Sequence, residues 1–590
     1  MYIFFEGILK DRVIVIKYIF KFMKKYRVQA VFGPLFKLFE ASLELLVPIV
    51  VAYIIDNGIN AETPTGNTGI IIKYSAVLVL LAAVGLAFSV TAQYFSARAA
   101  VGCASKMRCC LFDKLQSLSF SQIDGIGTSA MITRMTSDIN QVQTGINLVL
   151  RLLLRSPFVV FGAMIMAFTV NVRAAVIFAV IIPVLLVIVL GLMVITIPMY
   201  RRIQAKLDGI IGITRENLSG VRVIRSFCRE DAEIAEFDRQ NALLNKFQKF
   251  VGAISSVMNP VTYIVINIGI IVLIKSGAVM INAGSLTSGE LVALYNYMSQ
   301  ILVELVKFAS LIITVTKSIA SLSRVSAVLD TETESDTGDS FDNDGSVVFE
   351  NVTLKYDRAG DTALENIDFS IKSGERIGII GGTGSGKTSV VNLIPAFYKA
   401  TSGRVIVGGK STSEWNADAL RKNIGIVPQK AVLFKGTIKE NLLWGNENAT
   451  DEQLFDAIET AQAADVIKSK RGGINETLEQ DGRNLSGGQK QRLTIARALV
   501  RRPKILILDD SASALDYATD ANLRKALHKL SGMTVIIVSQ RASSIIDCDK
   551  ILVLDDGRQV GFGTHDELLK NCDVYKEIYY SQYEKEDAHE

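Results

Sequence analysis

Three stretches of this chain run without a charged side chain for longer than a membrane is thick. Residues 74–97, 174–200 and 250–274 contain no Asp, Glu, Lys or Arg. Each exceeds the roughly 20 residues a helix needs to cross about 30 Å of hydrocarbon. In lipid the backbone must satisfy its own hydrogen bonds, so each run is expected to be a helix. Three further apolar stretches carry a few charges. Residues 28–55 hold Lys37, Glu40 and Glu44, residues 148–170 hold Arg151 and Arg155, and residues 291–316 hold Glu304 and Lys307. Six spans fit better than three, because the long polar stretches between them must begin and end on the same side. The expected first domain, residues 26–328, is therefore an α-helical six-span transmembrane domain whose surroundings are the lipid bilayer.

Loop charge orients the spans. Residues 98–134 and 201–249 are rich in Lys and Arg, whereas the short connections 56–69 and 276–289 contain neither. Positive loops stay inside. The first pair is therefore cytoplasmic, the second external, and both termini are cytoplasmic. The protein is expected to be multi-pass in the plasma membrane, a bacterial inner or cell membrane. The cytoplasmic stretches have long amphipathic periods, so the spans are expected to continue as helices beyond the lipid. Residues 8–25 mix apolar positions with Lys10, Arg12, Lys17, Lys21, Lys24 and Lys25. That pattern suits an amphipathic elbow helix on the inner surface, within residues 1–25. It also suits a helix packed on the first span. The charges within spans sit at one-face helical spacing. They line an aqueous pathway, pair between helices or lie beyond the hydrocarbon.

The chain has 590 residues, which calls for more than one domain, and 49% of them are apolar. A net charge of +4 over this length gives no ground for a nucleic-acid partner. The six cysteines form no CxxC pair and no metal-ligand spacing with the three histidines. They read as reduced thiols. Composition changes after Val328: residues 329–345 form an acidic linker almost without large apolar side chains. From 346 to 585 short β-rich runs alternate with helical segments, as in an α/β domain.

That second domain opens with a phosphate-binding pattern: Gly381, Gly382, Thr383, Gly384, Ser385, Gly386, Lys387 and Thr388. It follows an apolar strand and opens a helical run, the context that makes a Walker A loop credible. Glycines let backbone N–H groups point at phosphate oxygens. Lys387 is expected to neutralise the β- and γ-phosphates of ATP, and Thr388 to ligate Mg²⁺. Residues 505–508 form a second apolar run ending in Asp509. A carboxylate at the end of a buried strand is costly without a cation, so Asp509 is expected to serve Mg²⁺. A structural strand-end Asp is the plainer reading.

The run Leu485, Ser486, Gly487, Gly488, Gln489 resembles the signature of ATP-binding cassette proteins. That resemblance extends over residues 346–582. It implies that Tyr356 stacks on adenine, that Gln429 senses Mg²⁺ and the membrane domain, and that residues 513–516 form the D-loop. Residues 216–227 and 120–128 resemble the two intracellular loops of the exporter branch, each carrying a short coupling helix. Fusion of membrane and ATPase domains on one chain favours export. In this family the signature binds the γ-phosphate across a head-to-tail dimer, so the resemblance implies a partner half-transporter.

Two positions depart from the family's pattern. Asp510 stands where the family has the Glu that polarises water, and Gln540 stands where it has His. The Asp carboxylate falls short by about 1–1.5 Å, and such a misplacement can lose roughly 10²-fold in rate. Gln540 can hydrogen-bond a phosphate but cannot give the charge-assisted bond of an imidazolium. Both are either tolerated variants or marks of a degenerate site. The second reading resembles one chain of the bacterial heterodimeric multidrug exporters. It implies a slow ATPase site here, an intact signature serving a competent partner site, and export of amphipathic drug-like compounds, lipids or peptides. A nucleotide-gated channel or regulatory subunit is the alternative.

Overall fold

The computed structural model describes residues 17–60, 67–333, 344–356, 360–530 and 532–583. Residues 1–16 of the expected elbow helix and residues 334–343 of the expected linker lie outside them. The chain divides into two compact units. One holds the residues up to Lys114 together with Ser129–Thr331, and the other holds Leu115–Thr128 and everything from Glu332 onward.

In the first unit six apolar helices are long enough to cross a membrane: Lys17–Ile59, Thr68–Gln116, Thr128–Val170, Val172–Ser219, Glu230–Asn282 and Ser288–Leu329, here spans 1 to 6. They run from 42 to 53 residues. At 1.5 Å per residue that is roughly 63–80 Å, at least twice the hydrocarbon thickness, so they continue far past it. Span 3 breaks at Leu153 and Leu154 and restarts as Arg155–Val170. Pro157 sits in the first turn of the restarted helix, where its missing N–H has no intrahelical partner to lose.

The core of this unit joins spans 1, 3, 4, 5 and 6 around Phe178, Leu185, Leu273, Tyr297 and Met298, all fully buried. Ala163, Ala167, Ala174, Ala175 and Ala293 contribute small contact faces, which let helices approach closely in lipid. At the start of span 6 the approach is backbone to backbone. A Cβ on Gly289 would lie 2.2 Å from the Ala52 carbonyl, and the Gly289 N–H donates to Asp56 at 2.8 Å. The most hydrophobic window of span 2 is not buried within this unit. Its described ring contacts to another span are with span 1, where Phe36 meets Phe88 and Phe95 at centroid distances of 5.8 and 6.0 Å.

Of the charges noted within the spans, all but Arg151 answer one another. Lys37 pairs with Glu40 on span 1 and donates to Ser89 of span 2 at 3.2 Å. Arg155 of span 3 reaches Glu44 of span 1 at 2.6 Å and Glu304 of span 6 at 2.5 Å. Ser156 and Lys307 complete the shell of Glu304 at 2.9 Å each. Arg155 and Glu304 are only 6% and 3% exposed, so these two are helix-pairing groups. Glu44 and Lys307 keep 42% and 45% of their side chains open.

The second unit is built on a ten-stranded mixed sheet. In chain order the strands are β1 (Val347–Leu354), β2 (Leu364–Ile371), β3 (Arg376–Gly381), β4 (Ser402–Val407), β5 (Lys410–Ser411) and β6 (Ile424–Val427). Next come β7 (Gly436–Thr437) and β8 (Thr477–Leu478), which pair apart from the large sheet. The last four are β9 (Ile505–Asp509), β10 (Thr534–Val538), β11 (Lys550–Asp555) and β12 (Arg558–Gly563). The order across the sheet is β5-β4-β1-β2-β12-β11-β3-β10-β9-β6. From β11 to β6 every pairing is parallel. These strands bury both faces, as parallel strands do. Ile505, Ile507, Ile536 and Val538 pack into one cluster, and Leu506, Leu508, Val535 and Ile537 into the other.

Within the same unit, the helix Phe120–Ile126 lies on the sheet domain. A capping box of Ser119 and Gln122 starts it, and Phe120 meets Phe397 at 4.2 Å.

Candidate nucleotide site

Three motif-bearing strands lie side by side, in the order β3-β10-β9. Val538 of β10 is in register with both Ile379 of β3 and Asp509 of β9. The glycine-rich loop, Gln540 and Asp510 thus leave neighbouring carboxyl ends, the edge where open α/β sheets bind ligands. They line one cavity of about 240 Å³, made by Thr383–Ser389, Gln429, Asp509, Asp510, Val538 and Gln540.

The loop needs its glycines. Gly386 has φ +93°, and a Cβ there would lie 2.6 Å from the Leu364 side chain and 3.0 Å from the Ala363 carbonyl. Lys387, 8% exposed, donates to the carbonyls of Gly381 at 2.8 Å and Gly382 at 2.6 Å. Burial holds its ammonium below the ordinary lysine range, while Asp510 and Asp509 act the other way. Thr388 Oγ1 donates to Asp509 at 3.2 Å.

Both carboxylates carry the cost of burial. It pushes Asp509 above the ordinary range, against the Thr388 hydrogen bond and Lys387, with the Asp510 charge adding to the rise. It pushes Asp510 up as well, against Gln429, Lys387 and Arg541. Two buried carboxylates beside one ammonium leave negative charge uncompensated, which fits a divalent cation. The oxygens of Thr388, Asp509 and Gln429 are suitable hard donors. No group of three His, Cys, Asp or Glu side chains stands ready to hold a metal among the described residues. Mg²⁺ in phosphoryl-transfer sites needs no such cage, because phosphates and waters complete its shell.

Asp510 has φ +47°, in the left-handed region that Asp tolerates better than most residues. Its N–H donates to Val538 at 3.0 Å, and its carbonyl accepts from Ser513 Oγ at 2.8 Å. This turn carries its carboxylate to 3.3 Å from Gln429 Nε2. Gln540 is exposed, and its carbonyl accepts from Gln582 Nε2 at 2.7 Å. Gln582 also takes the Ala542 N–H, at 2.8 Å, so the last described helix holds the turn that carries Gln540. Sequence reading missed Gln582. It also missed Arg541, whose guanidinium lies 4.9 Å over the Tyr517 ring.

Tyr356 and the signature do not line this cavity. Tyr356 joins it through one bond, from its hydroxyl to Ser389 Oγ at 2.9 Å. Ser389 directly follows Thr388, yet no motif marked it. Ser486 is the N-cap of the helix Gly487–Val500 and forms a capping box with Gln489. Ser486 and Gly487 are exposed.

Comparison with known proteins agrees with this architecture. Residues 31–305 match the ABC transporter transmembrane region family, and residues 364–513 match the ABC transporter family. The uncharacterized ABC transporter ATP-binding protein YfiB of Bacillus subtilis is 36% identical over 96% of this chain and 98% of its own length. YgaD of the same organism, provisionally named a multidrug export ATP-binding/permease protein, is 31% identical over 96% of this chain and 99% of its own. An ATP-dependent lipid A-core flippase of Hahella chejuensis is 31% identical over 84% of this chain and 85% of its own. A bacterial Atm1-family ABC exporter solved with ATP bound shares the fold, with a TM-score of 0.81 at 23% identity, over 96% of this chain and 99% of that one. The chain therefore belongs to the ABC transporters, as an exporter-type half-transporter that fuses a transmembrane domain to an ATP-binding domain and couples ATPase activity to transport.

Proposed function

We propose that this chain exports amphipathic compounds across the plasma membrane as one subunit of a heterodimer. The substrate class is drug-like molecules, lipids or peptides, in keeping with the names of two relatives. Mg-ATP binds to Lys387, Thr388, Gln429 and Asp509, with its base on Tyr356. Thr388, Gln429 and Asp509 would hold Mg²⁺, which would supply charge stabilisation at the phosphates. Asp510 and Gln540 are the groups nearest the chemistry, and they hydrolyse slowly. Ser486, Gly487, Gly488 and Gln489 complete the faster site of the partner. Both termini are cytoplasmic.

One observation carries the slow-site reading. Asp510 and Gln540, the two departures from the family's pattern, line the same cavity as the glycine-rich loop. Changes that converge on one water and one phosphate compound each other. The uncompensated charge of Asp509 and Asp510 supports retained Mg-ATP binding. Support for a docking partner comes from the turn at residues 216–227, which exposes Leu218, Val223 and Phe227.

The test is phosphate release by the purified chain alone and after co-purification with a candidate partner half-transporter, sought first in the adjacent reading frame. The chain alone should bind ATP with little turnover, and the pair should turn over robustly. Robust turnover by the chain alone, lost in Asp510→Ala, would overturn the slow-site assignment.

A further inference from the structure

The ring of Tyr356 is held from two sides. Its hydroxyl shares a hydrogen bond with Ser389 Oγ, and its ring meets Tyr398 at 5.0 Å with the planes at 90°. Edge-to-face rings at that distance attract and fix each other's tilt. Tyr398 is itself anchored to the helix Phe120–Ile126: its hydroxyl donates to the Asp124 carboxylate at 2.5 Å. The preceding residue, Phe397, packs on Phe120. Burial and the Asp124 charge hold the Tyr398 hydroxyl well above the usual phenol range, so it keeps its proton and stays a donor. A cavity of about 440 Å³ lies among these groups, walled by Ser121, Gln122, Lys355, Tyr356 and Tyr398. One wall comes from the connector between spans 2 and 3, and another from the ring assigned to the base.

We propose that Asp124 and Tyr398 are positioning residues for Tyr356, through which the connector between spans 2 and 3 sets nucleotide affinity. The proposal rests on the reading that Tyr356 stacks on the base. Asp124 orients Tyr398 by a charge-assisted hydrogen bond, and Tyr398 orients Tyr356 by ring contact. A connector that withdraws Asp124 frees the Tyr398 ring and loosens the stack. By linkage, a bound base holds the connector in place by the same factor.

The experiment uses the full-length chain in lipid nanodiscs and titrates it with two probes, Mg-ATP and Mg-tripolyphosphate. The second engages the phosphate loop but has no base. Asp124→Asn and Tyr398→Phe each keep shape and remove the charge or the donor. Each should raise the Kd for ATP about 3- to 10-fold, the effect of one hydrogen bond. The double variant should be no weaker than either single one, and the Kd for tripolyphosphate should not move. Unchanged ATP affinity in both singles, with Tyr356→Ala weakened, would overturn the proposal and leave the stacking reading intact. Equal losses for both probes would overturn it as well, since they indicate general damage. If Tyr356→Ala binds ATP as well as the parent chain, the stacking reading fails and this proposal with it.

Discussion

At Asp510 a short carboxylate combines with a left-handed backbone. The turn is pinned by Val538 and Ser513, so the carboxylate cannot gain reach by shifting the chain. Only a longer side chain extends it. Asp510→Glu adds one methylene and should raise phosphate release by this chain about 10-fold or more when combined with Gln540→His. Single-turnover measurement on protein that binds ATP normally checks this, and an unchanged rate removes Asp510 as the limiting group. Ser486 presents a different problem, because it both caps a helix and is assigned to the partner's phosphate. Ser486→Ala would cost about 1 kcal/mol of capping and confuse the two roles. Ser486→Asp keeps the cap but sets a negative charge against the γ-phosphate. It should abolish turnover of the pair while the melting temperature stays within a few degrees. A pair that still turns over normally rules out a signature contribution to the active site.

Among elements, legibility followed distance along the chain. The glycine loop, Asp509 and Gln540 could be read from sequence because each sits at the end of an apolar run. Parallel register then brings those ends together without further information. Six spans were readable because lipid demands long apolar helices. The Tyr398–Asp124 bond joins residues 274 apart, and no periodicity marks either. The partners of Arg155 were equally hidden. Helical spacing showed that the charges share faces, but not which helix faces which, because that depends on packing of the whole bundle. The span 3 break falls where the Pro157 ring would clash with the Leu153 carbonyl, and Arg155 opens the new helix segment, between Glu44 and Glu304. Glu304→Ala removes the buried partner of a buried cation and should destabilise the protein by about 3 kcal/mol. Thermal unfolding in detergent should show a clear fall in melting temperature. A fall no larger than that of Glu40→Ala, whose pair is local to span 1, would deny the cluster a special part in packing.

For the molecule as a whole, native cysteines report which way the spans run. Cys109 and Cys228 are both exposed and lie in the stretches rich in Lys and Arg. The positive-inside rule puts these stretches in the cytoplasm. The opposite connection, between spans 5 and 6, contains no cysteine and no basic residue from 276 to 289. Ala283 lies there, just after the helix Met258–Asn282, and is exposed. A membrane-impermeant maleimide applied to intact cells should therefore leave the parent chain unlabelled and label Ala283→Cys. Permeabilisation should then add label at Cys109 and Cys228. Labelling of the parent chain before permeabilisation, with none at Ala283→Cys, would invert the topology. The inverted case would also remove the ATP-binding unit from its nucleotide supply, because the unit begins directly after span 6, on the side where that span ends. Orientation and catalysis thus stand or fall together: a chain that hydrolyses cytoplasmic ATP must keep Cys109 and Cys228 on the cytoplasmic side.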